Sequence, residues 1–475
     1  MLSRSTFVLA VILVGLVGCG PSVRDGFDDP NASCRPGKVG ACYSGQDGTV
    51  DVGPCHAGTH TCDANGTWGE CMNEVAPSQE LCTDGIDNNC NGSVDEDVDA
   101  DGDGVTTCGG DCCDSTECTD PKLVNPGAFD APGNQLDDDC NGIVDDAVTM
   151  CDQNLASGTL NANDYAKAID LCQTATAADK KWGVISAALT LADGTGVPAT
   201  IAQSVRDHFG TGVMPKGGTK MALLSTGAAA GKGDTNPAYQ DFQATPSLNG
   251  NNKQSAFPQD FLTANGGNLP NVAGCPAPMG NTAMDPVMLT LEVRVPTNAR
   301  SFKLAVNFFS SEFPEYTCSA FNDFFVVLLD SAYAGTPANP TDKNLAFYQP
   351  SGSMMKYPVG VNLASGNTGL FTQCVNGTTG CRGTAGSITT CTGTSQLTMT
   401  GLDTASAGQC DANALQGGGT GWLETSGNVN PGEIMKLRIA IWDTSDHVLD
   451  SLAIVDGFQW SVDSAQPGTV IFRQR

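Results

Sequence analysis

The sequence predicts a mainly β protein: an antiparallel β-sandwich or jelly-roll with a small helical lead-in, preceded by a disulfide-rich, acidic, irregular stalk. Three observations predict it. Beyond residue 285, runs of alternating apolar residues follow one another between Gly- and Asn-rich connections. Fourteen of the 21 cysteines lie between Cys34 and Cys172, and apolar periodicity is nearly absent until about residue 150. Residues 80–150 hold nineteen acidic side chains against one base, Lys122.

Composition narrows the function classes. The 475 residues carry 52 acidic and 23 basic side chains, a net charge of −29, so the basic footprint of a nucleic-acid binder is missing. No set of long apolar runs suggests a polytopic membrane protein. So many cysteines do not fit a reducing cytosol. An exported, acidic, disulfide-rich protein of two or three domains remains.

The elements follow in order. Residues 1–18 carry Arg4 and then the apolar run Phe7–Gly18, too short to span a bilayer and right for the core of an export signal. The run ends Leu16-Val17-Gly18-Cys19, which resembles the bacterial lipobox. That resemblance implies cleavage before Cys19, acylation of Cys19 (palmitate among the acyl chains), and a lipoprotein of the bacterial outer membrane or cell surface. Gly20 follows the cysteine where an inner-membrane retention signal has Asp. Residues 19–33 lack an apolar period and read as a flexible tether.

Residues 34–79 form a Cys-rich module too small to bury a core, so cross-links replace one. With Cys19 set aside, fourteen cysteines fall in Cys34–Cys172 and six in Cys275–Cys410, even counts that allow closed pairing on each side. Cys151 and Cys172 are expected to pair. The module resembles one found in myxobacterial surface lipoproteins, where it leads into an acidic repeat.

Residues 80–148 contain such a repeat. Glu80–Glu96 and Asp130–Asp146 align at an offset of fifty, matching Asp87 with Asp137, Cys90 with Cys140 and Asp95 with Asp145. Pro132 and Asn134 replace Cys82 and Asp84 in the second copy. Between the copies, Asp99, Asp101 and Asp103 with Gly104 follow the 1, 3, 5 and 6 pattern of a Ca²⁺ loop. The EF-hand pattern then fails, since Gly110 stands where the bidentate Glu belongs; Asp111 or Asp114 can close the site instead. Asp84, Asp87, Asp95, Asp137, Asp139 and Asp145 add oxygens, enough in total for two ions. The stretch resembles the metal-binding motif DGxDNNCNGxxDE plus DxDGDG of bacterial surface proteins. Hard oxygen donors without His favour Ca²⁺ as the cofactor. The competing reading is a solvated acidic spacer.

Residues 149–475 form the large domain. Asn161–Cys172 reads as a helix with Tyr165, Ile169 and Cys172 on one face, and Ile201, Val205 and Phe209 as a second short helix ending at Gly210. Val287–Val295, Ser301–Phe309, Phe324–Asp330, Lys436–Trp442 and Leu452–Val455 read as strands; Phe302, Leu304, Val306 and Phe308 alternate as in a half-buried antiparallel strand. The segments from Phe308 to Tyr316, from Phe321 to Phe325, and around Trp422, Pro431-Gly432-Glu433, Ile441-Trp442-Asp443 and Asp450-Ser451 resemble choice-of-anchor L domains. That family implies surface display without an established enzymatic activity. Glu312, Asn322, Asp323 and Asp450 form a candidate second metal site or a set of loop-bracing side chains.

Catalytic signatures do not appear: no GxSxG, HExxH, P-loop or Rossmann fingerprint occurs. His56 and His60 read as exposed loop residues and His208 as a surface residue of the second helix. His447, flanked by Asp443, Asp446, Asp450 and Ser451, does not make a triad without a pocket and an oxyanion hole. The expectation is a non-enzymatic, lipid-anchored surface protein that binds Ca²⁺ and displays its sandwich to an extracellular protein or polysaccharide. The alternative is a carbohydrate-binding or carbohydrate-cleaving sandwich.

Overall fold

Where apolar side chains are sparse the chain is held by sulfur, and where they alternate it is held by sheets. The computed structural model describes residues 33–472 apart from 79, 115–118, 147–148, 244–250, 366–367, 384–387, 390, 405–409, 411–414 and 416. Cys19 and the export signal lie outside the described residues. The chain divides into two compact units, Met1–Thr119 and Asp120–Arg475.

In the first unit, β1 (Val39–Cys42) and β2 (Gly58–Thr61) form an antiparallel ribbon. Disulfides Cys34–Cys62, Cys42–Cys71, Cys55–Cys90 and Cys82–Cys108 staple it and the turns that follow. The apolar cluster is small: Tyr43, Cys55 and Cys90, flanked by Val50 and Val52. His60 is not an exposed loop residue. It lies in β2, buried, with its ring stacked on Trp68 at 4.0 Å, because strand alternation turns it inward beneath that indole. His56 is exposed, as expected.

The second unit opens with α1 (Ala162–Lys167), whose N-cap Asn161 accepts from the Asn163 N–H. The helix ends before Cys172; Tyr165 is buried from the helix and Ile169 from the turn after it. The strands are β3 (Gly183–Thr190), β4 (Gln203–Arg206), β5 (Met221–Ser225), β6 (Gln254–Ser255), β7 (Ala283–Arg294), β8 (Ser301–Ser310) and β9 (Phe324–Asp330). β10 (Phe347–Tyr348) with β11 (Tyr357–Pro358) and β12 (Gly377–Thr378) with β13 (Ile388–Thr389) form two short ribbons. β14 (Gly418–Asn428), β15 (Ile434–Thr444), β16 (Ser451–Ser461) and β17 (Gly468–Ile471) complete the sheets; a helix α2 (Gln259–Ala264) lies between β6 and β7 in the chain. One sheet has six strands in the order β17-β14-β8-β16-β5-β4. The other has five, β3-β7-β15-β9, with β6 paired to the start of β7. Every pairing between these strands is antiparallel.

The second short helix does not form. Gln203–Arg206 is strand β4, paired with β5 from Gln203↔Leu224 to Arg206↔Met221. Four-residue apolar spacing suits a helix only if the intervening polar side chains reach water. Here they are buried and bonded inside: Ser204 donates to the Ala229 carbonyl, and the Arg206 guanidinium donates to Ala229 and Pro237 carbonyls and pairs with Asp234 at 3.2 Å. His208 follows the strand, half exposed, beside Asp207 and Asp234.

One apolar core lies between the sheets. Val287, Leu289, Leu291 and Val293 of β7, with Phe325, Val327 and Leu329 of β9 and Leu437, Ile439 and Ile441 of β15, share it with Phe302, Leu304, Val306 and Phe308 of β8. The outer faces are covered too. Phe257, Phe261 and Trp442 pack with Phe324, Val326 and Leu328 on the five-stranded sheet, and Phe209, Phe242, Leu397 and Leu402 pack with Phe309, Leu452 and Ile454 on the six-stranded one. Strand β8 is therefore buried on both faces rather than half-buried. The six cysteines of this region pair among themselves, as Cys275–Cys318, Cys374–Cys391 and Cys381–Cys410. Among the described residues no helix is long and apolar enough to cross a membrane.

Candidate metal centres

The Asp-Gly run between the repeat copies folds around its own carboxylates. The Asp99 carboxylate accepts from the N–H groups of Gly102 (2.7 Å) and Gly104 (3.1 Å), closing the turn, while Asp101 accepts from Asp103 N and Asp103 from Val105 N. Gly102 and Gly104 sit at φ 77° and 92°, a left-handed backbone that only Gly adopts easily. Asp114 returns from the far side: its carboxylate accepts from Ala100 N, Asp101 N, Thr107 N and the Thr107 hydroxyl. Two groups of carboxylates result, each with oxygens within 4.8 Å of one another: Asp99, Asp101 and Asp103, and Asp101, Asp111 and Asp114. Asp101 belongs to both, and its Oδ2 is buried without a hydrogen bond. Asp111 is fully buried; burial, reinforced by Asp103, Asp114 and Asp101, pushes its carboxyl up to about 6 against the bond from Cys113 N. Five acids crowded with no base in the cluster are what a hard dication neutralises.

The repeat copies use their acids differently. In the first copy Asp87 accepts from Asn91 N and Gly92 N, Asp95 from Gly85 N, and Asp84 from Ile86 N and the Asn88 amide. Glu80, buried, accepts from Asn89 N and Asp95 N. The second copy, within its own unit, keeps the same bonds at Asp137, which accepts from Asn141 N and Gly142 N. It keeps them too at Asp145, which accepts from Gln135 N as Asp95 does from Gly85 N and adds Gly133 N and Asn134 N. Asp130, in the place of Glu80, instead accepts from Asp138 N and Asp146 N, each shifted by one residue. The Asn134 side chain takes over the role of Asp84, accepting from Leu136 N. The backbone repeats as well, with Cys90 and Cys140 both at φ 57° and Asp95 and Asp145 at 55° and 50°. Asp139 also accepts from Asn141 N, and burial and the charge of Asp146 raise its pKa. Among the described residues, Asp84, Asp87, Asp95, Asp137, Asp139 and Asp145 join no cluster of three ligating side chains. They brace loops through backbone amides, and the two convergent clusters of the first unit fall between the copies in the sequence.

In the sandwich, Glu312 and Asp323 do converge, and the third member is Asp443 rather than Asn322 or Asp450; oxygens of the three lie within 4.8 Å of one another. Asn322 turns away to accept from Asn362 N at 3.1 Å. The Asp450 carboxyl lies against Gly227, where an added Cβ would stand 2.0 Å from its Oδ2. Burial first, and then mutual repulsion, raises the pKa of Glu312 and of Asp443; burial also raises that of Asp323. In the sequence Asp443 stands out beside His447 and in the choice-of-anchor L-like segment, not as a metal ligand; its place in the cluster follows from the pairing of β15 with β9, which sets Trp442 opposite Phe324.

His447 pairs with none of its neighbours in sequence. Its Nδ1 lies 2.7 Å from Asp285 and its Nε2 3.0 Å from the Gln254 amide, both across the β6–β7 edge. Cys151 and Cys172 are joined by a disulfide.

One family model matches the chain: Cu-binding_MopE, described as "Putative metal-binding motif", over residues 75–96 and 119–146. Both copies of the repeat fall inside the matched stretches, and the Asp99–Asp114 clusters fall between them. No curated protein and no solved structure matches the chain. The match and the β-rich fold agree with a metal-binding surface protein. Copper, which the family's name suggests, does not fit the donors present. The matched stretches hold no His or Met, and Cys82, Cys90 and Cys140 are disulfide-bonded, so imidazole, thioether and thiolate are all missing.

Proposed function

We propose that this chain is an exported, lipid-anchored surface protein whose N-terminal module binds Ca²⁺ and whose β-sandwich is displayed for adhesion or interaction, without enzymatic activity. One observation carries the reading: Asp99, Asp101, Asp103, Asp111 and Asp114 form two carboxylate groups that share Asp101. Six to eight oxygens at flexible geometry are what Ca²⁺ requires, and carboxylates with main-chain carbonyls of the turn supply that kind of donor. The acidic repeats flank this turn in the sequence. Acyl chains on Cys19 would tether the module, as its lipobox-like flank suggests, and the resemblance to choice-of-anchor L domains supports display of the sandwich.

Calorimetry of the full chain carrying Cys19→Ser tests the metal. Ca²⁺ should bind with a Kd of about 10⁻⁴–10⁻³ M, the range of extracellular modules. Displacement of that ion by equimolar Cu²⁺, or no heat up to millimolar Ca²⁺, refutes it. Cys19→Ser should also move the protein from the membrane fraction to the soluble one; continued retention counts against lipidation.

A further inference from the structure

The N-terminal module does not account for the three acids buried in the sandwich. Glu312 follows the end of β8, Asp323 precedes β9, Asp443 lies near the end of β15, and Ser451 begins β16. These elements belong to both sheets, so the side chains meet where the two sheets come together at one end. Glu312, Asp323, Asp443 and Ser451 are 2, 0, 3 and 0% exposed.

Acids buried elsewhere in this unit meet either a base or backbone donors. The Asp234 side chain has Arg206 at 3.2 Å and Asp285 has His447 at 2.7 Å, while Asp152 accepts from Thr219 N and Lys220 N and Asp456 from Lys216 N and Gly217 N. Among the described residues no Lys, Arg or His pairs with Glu312, Asp323 or Asp443, and the charges next nearest, Asp446 and Asp285, are also acidic. A second observation is independent of the charge count. Both carboxylate oxygens of Asp323 are buried without a hydrogen bond, and so is the Ser451 hydroxyl. Asp443 and Ser451 lie close enough to polarise Asp323, yet neither makes a well-formed bond to it. The Asp323 N–H, at 3.4 Å, reaches the Glu312 carboxylate. Unsatisfied buried acceptors are rare in folded proteins because each forfeits its hydration.

We infer that Glu312, Asp323 and Asp443, with the Ser451 hydroxyl, form a second, structural Ca²⁺ site that fastens the two sheets of the sandwich together. A hard dication satisfies the unpartnered oxygens of Asp323 and supplies the missing positive charge. All side-chain donors are oxygen, and Cys318, between Glu312 and Asp323 in the sequence, is in a disulfide, so a soft metal has nothing to hold. The site does not depend on the N-terminal module.

The test uses the full chain carrying Cys19→Ser together with Asp99→Asn, Asp101→Asn and Asp103→Asn, so that an ion found in this background speaks only to the sandwich. After chelation and dialysis against millimolar radiolabelled Ca²⁺, it should hold one ion per chain. Asp323→Asn should remove that ion and Glu312→Gln should weaken it at least tenfold. At a hundredfold excess over Kd, Ca²⁺ should raise the thermal midpoint of the sandwich by about 5 °C over chelator. If Asp323→Asn does not fold, Glu312→Gln and the comparison of Ca²⁺ with chelator decide. No bound ion in the background, an ion retained undiminished by Glu312→Gln, or equal midpoints with Ca²⁺ and chelator overturns the site and leaves carboxyls that hold protons instead.

Discussion

Replacing Asp101 by Asn should act in opposite directions on the two states of the N-terminal module. The side chain is isosteric, and the retained oxygen can still accept from Asp103 N, a bond of 2.9 Å. An amide at the other position, where Oδ2 is buried without a partner, can donate to the surrounding carboxylates. What changes is charge. Asp101 has oxygens within 4.8 Å of Asp99, Asp103, Asp111 and Asp114. Each such pair repels by about 0.9 kcal/mol at the dielectric of water, and salt at physiological strength halves that. Removing four repulsions should therefore stabilise the calcium-free module by about 2 kcal/mol. The same change removes the ligand that both groups share, so Ca²⁺ affinity should fall at least tenfold. Hydrogen exchange of residues 99–114 in chelator reads the first effect, and calorimetry of Ca²⁺ binding reads the second. Faster exchange in the calcium-free variant with an unchanged Ca²⁺ affinity would show that Asp101 braces the turn and binds nothing.

The remaining predictions concern the second unit. Opening the Cys151–Cys172 disulfide, which closes a separation of 21 residues around α1, with paired Ser substitutions should cost about 3 kcal/mol in denaturant melts; a loss under about 1 kcal/mol would contradict the chain-entropy argument. Asp456 is almost wholly buried, and burial pushes its carboxyl up to about 8 despite bonds from Lys216 N and Gly217 N, with Asp170 adding to the rise. A raised folded pKa favours the protonated form in the native state. Its stabilisation is complete below pH 4 and is lost, at no more than about 1.4 kcal/mol per unit, as pH rises through 8. Asp456→Asn should flatten that decline, so parent and variant melts that stay parallel from pH 5 to 9 would refute it.

Much of the architecture was legible in the sequence because strands with a buried face declare themselves by alternation. Phe302 to Phe308 did so, although which strands flank β8 (β14 and β16) appears only in the structure. What alternation could not reveal was that Phe309 also packs, beneath loops far away in sequence. Residues 201–209 were misread because a buried arginine with four partners looks, in one dimension, like the polar face of a helix. The metal clusters were legible where the chain supplies them locally, at Asp99 to Asp114. They were not where β15 brings Asp443 to Asp323 across 120 positions, or where β7 brings Asp285 to His447. Local spacing carries local chemistry; contacts between distant strands are set by register.

The matching φ angles and hydrogen bonds of the two repeat copies have a consequence for how such sequences arise. Each copy's turns are shaped by its own acids accepting its own amides, and disulfides (Cys55–Cys90 and Cys82–Cys108 in the first copy) tie it to what lies beside it. A loop built that way is portable. It can be duplicated or inserted between other segments wherever a cysteine partner is at hand, and here one copy sits in each of two different compact units. Portability also loosens the tie between the motif and any particular ion. Copies that keep Asp87 or Asp137 keep the loop, while affinity for a metal can be gained or lost in the few residues spliced between them.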